Sequence, residues 1–124
     1  MNKMRLKGSL FDIIEEDVEN LKFRIKLNKE DIVYKGHFPG FPVTPGVAQL
    51  QIVQELLEYT FNSEVNLLSI SKCNFLKVID PNKESSLDFE FFIQKLENGI
   101  KVKAISKSEK DIFLKLSAIY SINI

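Results

Sequence analysis

The feature that most constrains this chain is an eleven-residue stretch, Gly36-His37-Phe38-Pro39-Gly40-Phe41-Pro42-Val43-Thr44-Pro45-Gly46, holding three prolines and three glycines. Proline removes a backbone donor and fixes φ, and glycine weakens both helix and strand, so the stretch is a loop with a specified path. Directly after it, residues 47–61 (VAQLQIVQELLEYTF) contain neither glycine nor proline. The apolar residues Val47, Leu50, Val53, Leu57 and Phe61 recur every three or four positions, and Ile52, Leu56 and Tyr59 extend the apolar surface around the helix. That spacing predicts an amphipathic helix of 15 residues facing a core. Thr44 is the expected N-cap with Pro45 at the first helical position, and Asn62-Ser63 the expected end.

The rest of the chain reads as strands. Two are expected at about 9–15 and 19–28, with the turn near Glu15-Glu16-Asp17, followed by a short extended piece at Asp31–Tyr34. Four more are expected at Val65–Ser71, Leu87–Gln94, Lys101–Ser106 and Ile112–Ile122, separated by polar turns such as Asp80-Pro81-Asn82-Lys83 and Glu97-Asn98-Gly99. The alternation of Leu114, Leu116 and Ala118 with Lys115 and Ser117 suits an antiparallel sheet with one covered face. One long helix against five or six antiparallel strands is an α+β architecture, and residues 1–124 read as one domain.

Seventeen basic and seventeen acidic residues cancel, so no long-range positive field favours nucleic acid. No apolar run approaches the roughly 20 residues needed to span a bilayer. The single Cys73 forms no intrachain disulfide, and the first ten residues lack the apolar core of a signal peptide, so a cytoplasmic location is expected. One histidine and one cysteine at distant positions lack metal-ligand spacing, and no cofactor is expected.

The chemistry concentrates at the loop-to-helix junction. A helix start leaves amides unpaired and carries partial positive charge, so Gly46 and Val47 can present donors to an oxyanion, and Gly46 has no side chain in the way. His37, the sole histidine, would add a base of near-neutral pKa if the loop folds back. Both features also have plain readings, a turn-stabilising histidine and simple helix initiation.

The string from His37 to Val47 resembles the signature of the 3-hydroxyacyl-acyl-carrier-protein dehydratases, H-F-P-G-x-P-x-x-P-G-V, with eight positions matched at fixed spacing. Asn74-Phe75-Leu76-Lys77 followed by Asp80-Pro81 is similar to a second, weaker family element. The resemblance implies a hotdog fold, in which the sheet wraps around the central helix, and a hydro-lyase activity forming trans-2-enoyl thioesters. It implies that His37 removes the C2 proton, that the Gly46 amide binds the thioester carbonyl, and that Phe38, Val43, Thr44, Pro45, Val47 and Phe75 contact substrate. It further implies a dimer or higher oligomer, and acyl carrier protein as the partner, for which Lys72, Lys77 and Lys83 are candidate contacts.

One position departs from the pattern. The family carries Glu or Asp fourteen residues after the histidine, whereas this chain has Gln51. An amide does not supply the proton a carboxylic acid supplies, and losing a positioned acid costs about 10²–10⁴-fold in rate. Three alternatives follow. Glu55, one helical turn on and about 6 Å along the axis, is a possible surrogate acid, set against its reading as a solvated or salt-bridged helix charge. A second hotdog chain in a mixed dimer could bring the carboxylate. Or Gln51 marks a change of role, to slow catalysis or acyl-thioester binding alone. Thioester hydrolysis ranks below these, because the Pro-Gly-rich histidine loop is not a thioesterase feature.

Overall fold

The computed structural model describes residues 5–35, 40 and 42–122. Among the described residues six strands and one α-helix make up the fold: β1 (Phe11–Asp17), β2 (Lys22–Leu27), α1 (Gly46–Phe61), β3 (Val65–Phe75), β4 (Ser86–Leu96), β5 (Gly99–Lys107) and β6 (Ile112–Ile122). The strands form a single antiparallel sheet in the order β1-β2-β4-β5-β6-β3. This is the α+β hotdog architecture expected from the sequence, with six strands.

Strand alternation decides the faces. Phe23, Ile25 and Leu27 of β2, Leu87, Phe89 and Phe91 of β4, Ile100, Val102 and Ala104 of β5, and Leu114, Leu116, Ala118 and Tyr120 of β6 are all buried. They share one core with Ala48, Ile52, Val53, Leu56 and Leu57 of α1. The opposite face is charged: Arg24 bonds Asp88 at 2.7 Å and approaches Glu15 at 3.3 Å, and Lys107 reaches Glu90 at 3.0 Å. Along β3 most residues stay exposed, including Leu67, Leu68 and Ile70.

Several local expectations are corrected. Strand β1 continues through Glu15-Glu16-Asp17 because Glu15 opposes Arg24 and Asp17 opposes Lys22. The turn comes after it, where Asp17 Oδ1 accepts from Asn20 N and Leu21 adopts φ 58. Asp31–Tyr34 is not extended: Ile32–Tyr34 is a 3-10 turn capped by the Asp31 carboxylate, which accepts from Val33 N at 2.9 Å. Strand β3 runs four residues beyond Ser71, to Phe75, following β6 through two register shifts. The apolar surface of α1 buries Ile52, Val53, Leu56 and Leu57 as the sequence suggested, but Val47, expected to face the core, is 78% exposed and Ala48 is buried instead. Pro45, not Thr44, is the N-cap, because the Thr44 hydroxyl is bonded to Tyr34 Oη at 2.9 Å in the interior. The helix does end at Asn62, in the left-handed conformation.

Polar contacts set the ends of α1. Glu58 Oε2 accepts from Val65 N at 3.0 Å and Gln54 Nε2 donates to Val65 O at 2.8 Å, fixing where β3 begins. The turn into β5 requires a glycine: a Cβ on Gly99 would run into the Tyr120 carbonyl oxygen.

Tyr120 itself gives a measurable consequence. Burial, and secondarily the charge of a Cys73 thiolate, push its phenol up to about 12 from an ordinary value near 10. The fold therefore favours the neutral phenol, and this stabilisation is whole below about pH 10 and lost as pH rises towards 12. Urea midpoints measured from pH 9 to 12 should fall for the wild type and fall less for Tyr120→Phe.

Candidate active site

The junction between the loop and α1 is built from the residues that the sequence singled out, apart from two. His37 and Phe38 lie outside the described residues. Gly46, Val43, Thr44, Pro45, Val47, Gln51, Glu55 and Phe75 are all described.

The N-terminus of α1 starts abruptly. Pro45 is extended at φ −61° and ψ 150°, no side chain caps the helix, and the first turn carries no acidic residue. Gln49 N donates to Pro45 O at 3.1 Å, so the amides of Gly46 and Val47 stand ahead of the helical ladder. Such amides, with the helix dipole behind them, stabilise negative charge.

Gly46 and Phe75 are brought together although 29 residues separate them. A Cβ on Gly46 would lie 2.8 Å from Phe75 Cζ, so the aromatic ring occupies the space that a side chain would take. The ring arrives there because β3 extends past Ser71, and it is 46% exposed. One side of the helix start is thus apolar. Val47 is exposed beside it, and Val43 and Pro45 are half-buried.

The approach to the helix is held from inside. Thr44 N donates to Ile79 O at 2.9 Å, and Thr44 O accepts from Gln49 Nε2 at 3.2 Å. Tyr34 Oη and Thr44 Oγ1 form a buried pair, and burial holds the Tyr34 phenol above its usual range. Thr44 is therefore a structural anchor, with its side chain turned into the protein. Gln49 was not foreseen; its apolar neighbours on the helix gave no hint that its amide would be buried at 4% exposure.

Gln51 and Glu55 are bonded to each other, Gln51 Nε2 donating to Glu55 Oε2 at 3.0 Å. Glu55 is 2% exposed and also accepts from Leu6 N at 2.8 Å and Lys7 N at 2.9 Å. The expectation of a solvated or salt-bridged helix charge is thereby overturned: the N-terminal segment folds over this carboxylate and bonds it through the backbone. Lys77, a candidate carrier contact, is committed to Asp111 at 2.6 Å. Among the described residues no cluster of three or more His, Cys, Asp or Glu could hold a metal, and no helix is long and apolar enough to cross a membrane.

Comparison with known proteins identifies the fold and the family. A family model for the ApeI dehydratase matches residues 13–114. The 3-hydroxyacyl-[acyl-carrier-protein] dehydratase FabZ of Petrotoga mobilis is 27% identical over 106 residues, covering 81% of this chain and 76% of the relative. Among solved structures, the dehydratase heterocomplex ApeI:P from Xenorhabdus doucetiae superposes with a TM-score of 0.67 at 18% identity, over 88% of this chain and 96% of that one. A sigma28-regulated virulence protein from Campylobacter jejuni gives 0.64 at 14% identity, over 95% and 88%. These two structural likenesses show the fold, and the family model shows the lineage. With its loop, helix and six strands all inside or flanking the matched region, the chain belongs to the ApeI-like dehydratase family of hotdog proteins.

Proposed function

We propose that this chain is a hydro-lyase acting on 3-hydroxyacyl thioesters, forming the trans-2-enoyl thioester and water. The observation that carries the reading is the uncapped start of α1 at Gly46 with the Phe75 ring packed on it. In this reading the Gly46 amide receives the thioester carbonyl, whose negative charge grows as the C2 proton leaves. His37 takes that proton. Val43, Pro45, Val47, Phe75 and Phe38 border the acyl chain, and Thr44 holds the corner from behind.

The leaving hydroxyl also needs a proton. Gln51 has none to release, and Glu55 already accepts from two backbone amides and from Gln51. The proton then comes from protonated His37 itself or from a carboxyl on a second hotdog chain. The second source is a mixed dimer in which this chain is the acyl-binding subunit, a reading favoured by Gln51 and paralleled by the ApeI:P heterocomplex.

A second subunit has an obvious place. β3 lies at the edge of the sheet, and Leu67, Leu68 and Ile70 along it are exposed together with Val47. A long apolar edge strand invites pairing with another strand. The acyl group would arrive on acyl carrier protein, an acidic partner. Lys72 and Lys103 both oppose Ser117 on the charged sheet face, and two residues along on the same face Lys101 opposes Ile119 and Lys115 opposes Ile105. All four are exposed and suit such a partner better than the ion-paired Lys77. Lys83, in the turn after Asp80-Pro81, remains a candidate.

A mass-resolved product assay on a 3-hydroxyacyl carrier thioester should detect enoyl product with the wild type and at least about 10²-fold less with His37→Ala. Equal inertness of both chains, alone and mixed with a second hotdog subunit, defeats the enzyme reading. Gly46→Ala places a methyl where the Phe75 ring now lies and should lower turnover by about 10²-fold through misplacement of the thioester. Because that ring is partly exposed and can swing outward, its melting temperature should stay within a few degrees. Leu68→Lys should convert a dimer to monomer in sedimentation velocity at micromolar concentration.

A further inference from the structure

Helix starts are ordinarily fixed by a side-chain oxygen at the N-cap that accepts from an amide of the first turn. A cap of that kind occupies the donors that a ligand would need. Pro45 has neither a side-chain acceptor nor an N–H, so it can take no part in a reciprocal cap. The start of α1 is gripped instead from its acceptor side, by Gln49. The Gln49 backbone N donates to Pro45 O at 3.1 Å and its Nε2 donates to Thr44 O at 3.2 Å, so one residue holds two successive carbonyls. Thr44 O can only accept, which turns the NH₂ of the Gln49 side chain towards it.

The consequence for Gly46 is geometric. A peptide unit is planar and trans, so the Gly46 N–H points opposite to the Pro45 C=O. The proline ring holds Pro45 at φ −61°, and behind it Thr44 has its N, O and Oγ1 all bonded, to Ile79 O, Gln49 Nε2 and Tyr34 Oη. Fixed planes therefore lead up to the Gly46 amide and aim it outward from the helix, while no side chain caps the first turn. Satisfying the interior is not by itself a reason for an amide at position 49. Gln49 is 4% exposed, and while its Nε2 meets Thr44 O, its own Oε1 is buried without a partner among the described residues. One buried acceptor is matched and another is left unmatched, so nothing is gained over an apolar side chain of the same length. We propose that Gln49 is a positioning residue: by holding the Thr44 and Pro45 carbonyls together it aims the Gly46 amide at the thioester carbonyl. The inference rests on the reading above that the Gly46 amide receives that carbonyl, and it names the side chain that orients the donor.

The test is difference infrared spectroscopy of the full chain with a decanoyl pantetheine thioester carrying carbon-13 at the carbonyl, a saturated probe that has no hydroxyl to eliminate. In the wild type the bound carbonyl band should lie at lower wavenumber than that of the unbound probe, the signature of a donated hydrogen bond. Gln49→Met, which keeps the length and removes the donor, should return the bound band most of the way to the unbound position. Tyr34→Phe also removes one bond to Thr44 but leaves both carbonyls held, so it should lower the melting temperature and leave the bound band in place. A Gln49 that only stabilised the fold would change how much probe binds and not where the bound band lies, so an unmoved band in Gln49→Met overturns the proposal. Equal shifts in Gln49→Met and Tyr34→Phe overturn it too, since any loosening of the corner would then suffice. If Gln49→Met does not fold, Gln49→Leu takes its place, and failure of both to fold makes Gln49 structural and ends the positioning role. A wild type that binds the probe with no displacement of the band, or that fails to bind it both alone and mixed with a second hotdog subunit, sinks the underlying thioester reading, whereas a displaced band that ignores position 49 sinks only this inference.

Discussion

The packing of α1 against one face of the sheet is the constraint on which everything else depends. Ile52, Val53, Leu56 and Leu57 are fully buried against residues from β2, β4, β5 and β6. Area removed from water on this scale dominates folding, and it allows the helix only one rotation about its axis. Once that rotation is fixed, so is the direction in which the helix start faces. Gly46 meets Phe75, Val47 faces outward, and Glu55 points into the protein.

Several polar groups carried into the interior by that rotation find specific partners. Glu58 takes the first amide of β3, Thr44 is bonded by Tyr34 and Gln49, and Glu55 takes two amides of the N-terminal segment. The Glu58 and Gln49 bonds tie α1 to the segments on either side of it, and the Glu55 bonds tie it to residues nearly fifty positions away. Leaving such a group unmatched costs about 1–3 kcal/mol, so these contacts specify the arrangement more than they add to its stability. Gln49 Oε1 and Ser106 Oγ are buried without a protein partner among the described residues.

The same bonds shape the chemistry. A helix start that lacks a side-chain cap keeps its amides for a ligand, and the Phe75 ring keeps one side of that start apolar. Oxyanion stabilisation is worth most where water is excluded. Gln51 Nε2 donates to the buried Glu55 carboxylate one turn on, so that side chain is held to the interior of the same helix.

Much of this was legible in the residues alone. The Pro-Gly loop, the glycine-free and proline-free stretch after it and the alternation in β6 each encode backbone conformation through local sterics, which sequence carries directly. The eight matched positions from His37 to Val47 likewise pointed to the helix start and to the dehydratase resemblance. Only the tertiary structure decided what depends on long-range packing. It turned Val47 outward at the first turn of α1, drew the Thr44 hydroxyl inward to Tyr34 and thereby gave the N-cap to Pro45, and carried β3 on to Phe75. Glu55 shows the difference most plainly: on a helix read by itself it is an ordinary charge, and its partners Leu6 and Lys7 are nearly fifty residues away, a pairing that no local pattern can express.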